Sequence, residues 1–180
     1  PNPSPLQGEG GAPLALLITE HGTRRLHALD AAARALGLYP GQKATDAAAL
    51  VPELQTHDAD PEGDAAALKA LGDWCVRFSP AVALDGTDGL FLDITGVSHL
   101  WDGEAAMLED LLARLAANGI RAQGAVADTA GAAWALARYG EGPVVIPSAG
   151  QSALLAPLPV AALRLDAVSY THLRAHETVL

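Results

Sequence analysis

An α+β fold, with helices laid over one face of a largely antiparallel sheet, is predicted by three features of the chain. From Ala81 onward the pattern runs strand, strand, helix, strand, helix, strand, an order that gathers the helices on one side of a sheet. Leu90, Leu92 and Ile94 alternate with Phe91, Asp93 and Thr95, which gives that strand one apolar and one mixed face. Leu108, Leu111, Leu112 and Leu115 recur at helical spacing, so Glu104 to Ala117 carries an apolar stripe to lay on the sheet. With 180 residues, 50% of them hydrophobic, the chain can bury one core and a small second lobe.

The elements follow in order. Pro1 to Gly11 is rich in proline and glycine with almost nothing to bury, and reads as a disordered linker or insert. Pro13 to Thr19 is strand-like, turns at His21-Gly22 and resumes from Arg24 to Leu29, a hairpin. Asp30 caps a short alanine-rich helix that ends at Gly37. Ala44 to Leu50 is a second short helix, stopped by Pro52. A long helix from Glu62 to Phe78 aligns Leu68, Leu71, Cys75 and Phe78 on one face. Beyond the amphipathic helix at Glu104, Arg121 to Ala127 reads as a strand, Thr129 to Tyr139 as a helix capped by Asp128, and Pro143 to Ile146 as a last short strand.

Charge excludes several function classes. The balance of 11 Lys+Arg against 21 Asp+Glu gives −10, which favours solubility and opposes non-specific attraction to nucleic acid or anionic membrane. Seven carboxylates lie between Asp46 and Asp73 with only Lys69 against them, a region expected to face solvent, the favoured reading, or a basic partner rather than phosphate. Cys75 is the single cysteine, so an internal disulfide and a cysteine-based zinc site are excluded, a reducing compartment fits, and the expected location is cytoplasmic. Apolar runs such as Pro13 to Ile18 are far short of the roughly 20 residues that span a bilayer. The chain begins at Pro1 rather than Met and is expected to be internal to a longer protein.

The most telling stretch runs from Val82 to Gly96 and includes Asp88-Gly89 followed by Leu90-Phe91-Leu92-Asp93-Ile94-Thr95-Gly96. Together with Ala33 to Gly41, Asp73 to Pro80, Ala127 to Arg138 and Leu155 to Val160, it resembles the Y-family, translesion DNA polymerases, most closely the ImuB-type relatives of bacterial mutagenic repair. The resemblance covers most of Leu14 to Leu165 and is specific only when the runs are taken together. It implies a palm-like, ferredoxin-like antiparallel sheet with helices on one face, plus a small helical fingers lobe.

Against the active pattern, every departure points the same way. An adjacent Asp-Glu pair holds metal at this hairpin in active relatives, whereas here the pair is Asp88-Gly89, and glycine has no ligand atom. The fingers tyrosine and arginine that hold a triphosphate correspond to Ala31 and Arg34. The Asn-Lys pair after the palm strand corresponds to Thr129 and Ala130, so a phosphate-facing cation is missing too. The resemblance therefore implies a vestigial site at Asp88 and Gly89, no catalytic residue, no metal ligand and no resident cofactor. Mg would enter only if the chain were an active polymerase.

Each of these residues also has a plainer reading. Arg34, the possible phosphate-contact relic, also fits an ordinary surface arginine. Asp88-Gly89 is also a common turn pair, and the turn reading is favoured over residual metal affinity. Asp93 suits a local hydrogen bond, and Cys75 a packed core thiol. His57-Asp58-Ala59-Asp60 fits a polar loop into the long helix better than a metal site. Gly8-Glu9-Gly10-Gly11 lacks the lysine and helix of a phosphate loop. His172 and His176 stand i, i+4 without a third ligand, in a tail that looks like a translated adaptor end.

The resulting expectation divides the chain into 1–12, a linker or insert; 13–60, first strands and fingers-like segment; 61–147, palm-like domain; 148–167, the start of a thumb-like segment; and 168–180, a non-native tail. The resemblance implies a non-catalytic scaffold in DNA damage tolerance whose partners are the sliding clamp, a RecA-like accessory protein and an error-prone C-family DNA polymerase. Weak DNA binding by this chain and no membrane association are expected. The alternative is an active metal-dependent translesion polymerase. A palm-like nucleotide cyclase or regulatory domain is disfavoured by the fingers-like segment Arg34 to Gly41.

Overall fold

The computed structural model describes residues 12–146 and 150–164. The proline- and glycine-rich start and the tail from 168 lie outside them. The chain divides into two compact units at Ala67/Leu68, a boundary within one helix.

The first unit begins with β1 (Leu14–Glu20) and β2 (Thr23–Leu29), an antiparallel hairpin. Its two-residue turn is His21-Gly22, both with positive φ (48° and 75°), the backbone that matches strand twist in a tight hairpin. Asp30 then caps α1 (Ala31–Ala35), its Oδ1 accepting the Ala33 N–H at 2.7 Å. The helix α2 (Ala44–Leu50) follows, then β3 (Gln55–Asp58), which pairs parallel with β1 to give the order β2-β1-β3. Ala15, Leu17, Leu26, Leu29, Ala33 and Leu38 form most of a dry core with Ala47 and Val51.

The strand β3 corrects the sequence expectation of a loop at His57-Asp58. All four of its residues are exposed, so it had no apolar alternation to betray it; backbone pairing to β1 is what holds it. Asp60 accepts the Gly63 N–H at 2.9 Å at the start of α3 (Pro61–Cys75).

The second unit contains β4 (Ala81–Asp85) and β5 (Gly89–Asp93), again an antiparallel hairpin. The helix α3 ends at Cys75, earlier than the expected Phe78. Phe78 is buried all the same, stacked on Trp101 at 5.4 Å and tilted against Trp74 at 5.6 Å. Buried Ser79 locks the mouth of the hairpin: its hydroxyl accepts the Ala81 N–H at 3.1 Å and donates to the Asp93 carbonyl. Gly72 permits α3 to lie close on the strands, since a Cβ there would stand 3.2 Å from Leu84 and 3.5 Å from Leu90.

A 3₁₀ turn (Ser98–Trp101) leads into α4 (Glu104–Ala117), whose Met107, Leu108 and Leu115 are buried. After it come β6 (Ala125–Val126), α5 (Ala130–Tyr139), β7 (Val144–Val145), α6 (Gln151–Leu155) and a 3₁₀ turn (Val160–Leu163). The helix α5 packs against β6, α6 and this last turn; α4 packs against β6 and β7.

The α+β class holds, but four details differ. Among the described residues the strands form three small sheets, and β6 pairs with β7 in parallel, rather than one largely antiparallel sheet. The strand expected over Arg121 to Ala127 shrinks to Ala125–Val126, and Gly124 just before it lies close on α4, where a Cβ would meet Leu108 at 2.7 Å. The cap of α5 is Thr129, which accepts the Ala132 N–H at 3.2 Å, not Asp128. Leu90, Phe91 and Leu92 are all half-buried, so β5 lacks the expected two-faced contrast. No helix among the described residues is long and apolar enough to cross a membrane.

Candidate functional site

The hairpin β4–β5 turns through Gly86, Thr87 and Asp88, with the positive φ (60°) borne by Gly86. Asp85 therefore ends one strand and Asp88 immediately precedes the next, both carboxylates flanking one tight turn. On α5, Trp134 and Arg138 stand i, i+4 and share a helix face.

These elements converge. Arg138 grips Asp88 with both arms of its guanidinium, Nη2 donating to Oδ1 at 2.5 Å and Nη1 to Oδ2 at 3.0 Å. This fork is the strongest geometry an arginine and a carboxylate adopt. The same Nη2 lies 3.9 Å from Asp85 Oδ2, and Asp85 Oδ1 accepts a hydrogen bond from Arg164 Nη2 at 2.7 Å. Both guanidinium carbons approach the Trp134 ring, Arg138 at 5.1 Å and Arg164 at 4.7 Å from its centroid, within cation–π range. The side chains of Arg138 and Asp85 are 17% and 12% exposed, whereas Asp88 and Arg164 are 45% and 44% exposed, so the network runs from an enclosed centre out to solvent. The hydrogen bonds to Asp88 hold the Arg138 guanidinium above even its usual high pKa, against the opposing effect of its burial.

The arrangement does not fit a divalent metal. Hard cations take several oxygen ligands at roughly 2–2.6 Å, and the oxygens of Asp88 already face a guanidinium. An ion held roughly 4 Å from that group would be repelled by about 4 kcal/mol even at an effective dielectric near 40. Position 89 carries no ligand atom, and a Cβ there would stand 3.0 Å from the Asp85 carbonyl oxygen and 3.2 Å from Arg138 Nη2. Among the described residues no cluster of three or more His, Cys, Asp or Glu is placed to hold a metal ion.

Thr129 and Ala130 are exposed at the start of α5. Arg138 lies eight residues beyond Ala130, roughly 12 Å along the axis. Arg34 is half-buried in the last turn of α1, in the first unit. Asp93 makes the expected local bond, its Oδ1 accepting the Thr95 N–H at 3.0 Å, and hydrogen bonding to Thr95 lowers its pKa. Sequence reasoning missed Asp85, Trp134, Arg138 and Arg164 as members of one site. The available signal was the Trp-x-x-x-Arg spacing on α5; nothing in the sequence linked it to a turn 50 residues away.

Comparisons with known proteins agree with this architecture. Residues 11–138 match the IMS family, described as the impB/mucB/samB family. Protein ImuB of Caulobacter vibrioides, in strain NA1000 / CB15N and in strain ATCC 19089 / CIP 103742 / CB 15, is 68% identical over 130 residues. That stretch is 72% of this chain and 28% of either relative. DinB from Sulfolobus solfataricus superposes with a TM-score of 0.74 at 17% identity, covering 93% of this chain and 50% of its own. The insertion ternary complex of Dbh DNA polymerase gives 0.73 at 16% identity, covering 92% and 50%. At such low identity these two establish the fold, and the match over residues 11–138 establishes the kinship: the chain belongs to the impB/mucB/samB family of Y-family polymerase relatives.

Proposed function

We propose that this chain is part of a non-catalytic Y-family polymerase-like scaffold that acts in DNA damage tolerance and induced mutagenesis. The observation that carries the reading is Gly89. Where active relatives place a metal-holding glutamate beside an aspartate, this chain has no side chain, and a Cβ there would fit tightly, 3.0 Å from the Asp85 carbonyl oxygen and 3.2 Å from Arg138 Nη2. Phosphoryl transfer depends on metal and cationic groups that neutralise charge developing on the phosphate. With Gly89 after Asp88 and Ala130 in place of lysine, the chain supplies neither.

The 68% identity to ImuB supports the damage-tolerance setting. In that setting the protein joins the sliding clamp, a RecA-like accessory protein and an error-prone C-family DNA polymerase in the cytoplasm. The recognition work belongs to the whole protein, since this chain matches 28% of its relatives' length.

Metal-dependent primer extension with the full-length protein tests the proposal. No extension is expected with Mg²⁺ or Mn²⁺, and none from the Gly89→Glu variant, because groups that act as one catalytic unit do not recover singly. Template-directed extension by the unaltered protein would instead identify it as an active translesion polymerase.

A further inference from the structure

We propose that Arg138 is the palm's own resident cation: it takes the place of a divalent metal at Asp88 and, with Asp85, Trp134 and Arg164, turns the former metal site into a structural joint. The inference deepens the non-catalytic reading and rests on it. Three observations carry it. The first is the two-armed bond from Arg138 to Asp88 at 2.5 and 3.0 Å, which engages both carboxylate oxygens a metal would need. Second, the Arg138 side chain is 17% exposed, so the positive charge is enclosed beside the turn rather than swinging in solvent. Third, the same group continues into a network: Asp85 stands 3.9 Å from Arg138 and 2.7 Å from Arg164, and both arginines lie against Trp134.

The network joins three pieces of the second unit that are distant in sequence. Asp85 and Asp88 belong to the β4–β5 turn, Trp134 and Arg138 to α5, and Arg164 caps the 3₁₀ turn Val160–Leu163. Two carboxylates and two guanidinium groups balance in charge, so the joint needs no further ion. A divalent cation at Asp88 would have to displace Arg138 from its forked bond and leave it only Asp85 at 3.9 Å and the Trp134 ring, which is unfavourable for a group this enclosed.

The test uses the full-length protein, its Asp88→Asn, Arg138→Met and Arg138→Lys variants and the Asp88→Asn/Arg138→Met double variant. Mn²⁺ binding is followed by the electron paramagnetic resonance of the free ion, and thermal unfolding is followed in parallel. The unaltered protein and Asp88→Asn are expected to give superimposable Mn²⁺ isotherms. Each single variant should lower the unfolding midpoint by a few degrees, and the double variant by no more than the worse single one, as for two ends of one bond. Arg138→Lys keeps the charge but loses the fork, and should fall between the unaltered protein and Arg138→Met.

Loss of one bound Mn²⁺ in Asp88→Asn would overturn the proposal, as would additive shifts in the double variant. If Arg138→Met does not fold, the Asp88→Asn isotherm and the Arg138→Lys midpoint still decide: an unmoved isotherm with a lowered midpoint supports the joint, and any other pair refutes it. Primer extension on the same preparations separates the two readings. Extension with an isotherm unmoved by Asp88→Asn would sink the scaffold reading alone, and a lost Mn²⁺ without extension would sink the resident cation alone.

Discussion

Cys75 is 1% exposed at the end of α3, and burial pushes its thiol above the usual range, with the charge of Arg77 acting the other way. Near pH 7 it is a neutral, enclosed thiol, and the thiolate is the nucleophile. Iodoacetamide should therefore leave the folded chain unlabelled and react fully in urea, as read by intact-mass spectrometry. The sign of the pH effect follows. A thiol whose pKa is raised by folding keeps a proton that the unfolded chain releases, so its contribution is whole below about pH 8.5, the free-thiol value. It is lost as pH rises through the folded value, and denaturation midpoints should fall above about pH 8.5 and fall less in Cys75→Ala. At this scale the sequence was readable wherever the deciding partner was local. The packed role of Cys75 and the Asp93 bond to Thr95 could both be inferred from neighbours in the chain. The partner of Asp88 could not, because Arg138 reaches it only through the packing of α5.

Among the elements, hairpins and capped helices were legible because their signals are short-range. His21-Gly22 announced the first turn and Asp30 the first helix. Asp30 is 4% exposed, and besides its cap its N–H donates to the Leu14 carbonyl at 3.0 Å, tying the helix start to β1. Replacing Asp30 with Ala should cost about 1–2 kcal/mol, measurable as a lower urea midpoint with unchanged slope. Asp30→Asn, which retains an acceptor, should lose less. What stayed illegible was β3, held by backbone pairing rather than by burial, with all four side chains exposed. The strands β6 and β7 were expected, but not that they would be two residues each. Periodicity needs a longer half-buried run to speak. The cap of α5 failed for a different reason: Asp128 and Thr129 are both good caps, and the geometry chose Thr129.

For the whole molecule, the formal charge of −10 sets the dominant long-range term. Affinity for DNA comes chiefly from lysine and arginine neutralising phosphates. Arg24, Arg114, Arg138 and Arg164 are already engaged with carboxylates, as is Lys69. The chain should therefore bind primer-template weakly and without sequence preference, and fluorescence anisotropy at physiological salt should show no saturation at nanomolar protein. Saturation there would reveal a basic groove. The chain divides into its two compact units at Ala67/Leu68. A single continuous helix, α3, carries the chain from one unit into the next and offers no loop to mark the change.

The tight fit at Gly89 ties that position to its neighbours. A side chain introduced there would press a new Cβ on the Asp85 carbonyl at 3.0 Å and on Arg138 Nη2 at 3.2 Å. Removing Arg138 would leave Asp85 and Asp88 flanking one tight turn with one counter-charge fewer. Positions 85, 88, 89 and 138 therefore answer to substitution as one unit, so a single replacement reports on the group rather than on one residue.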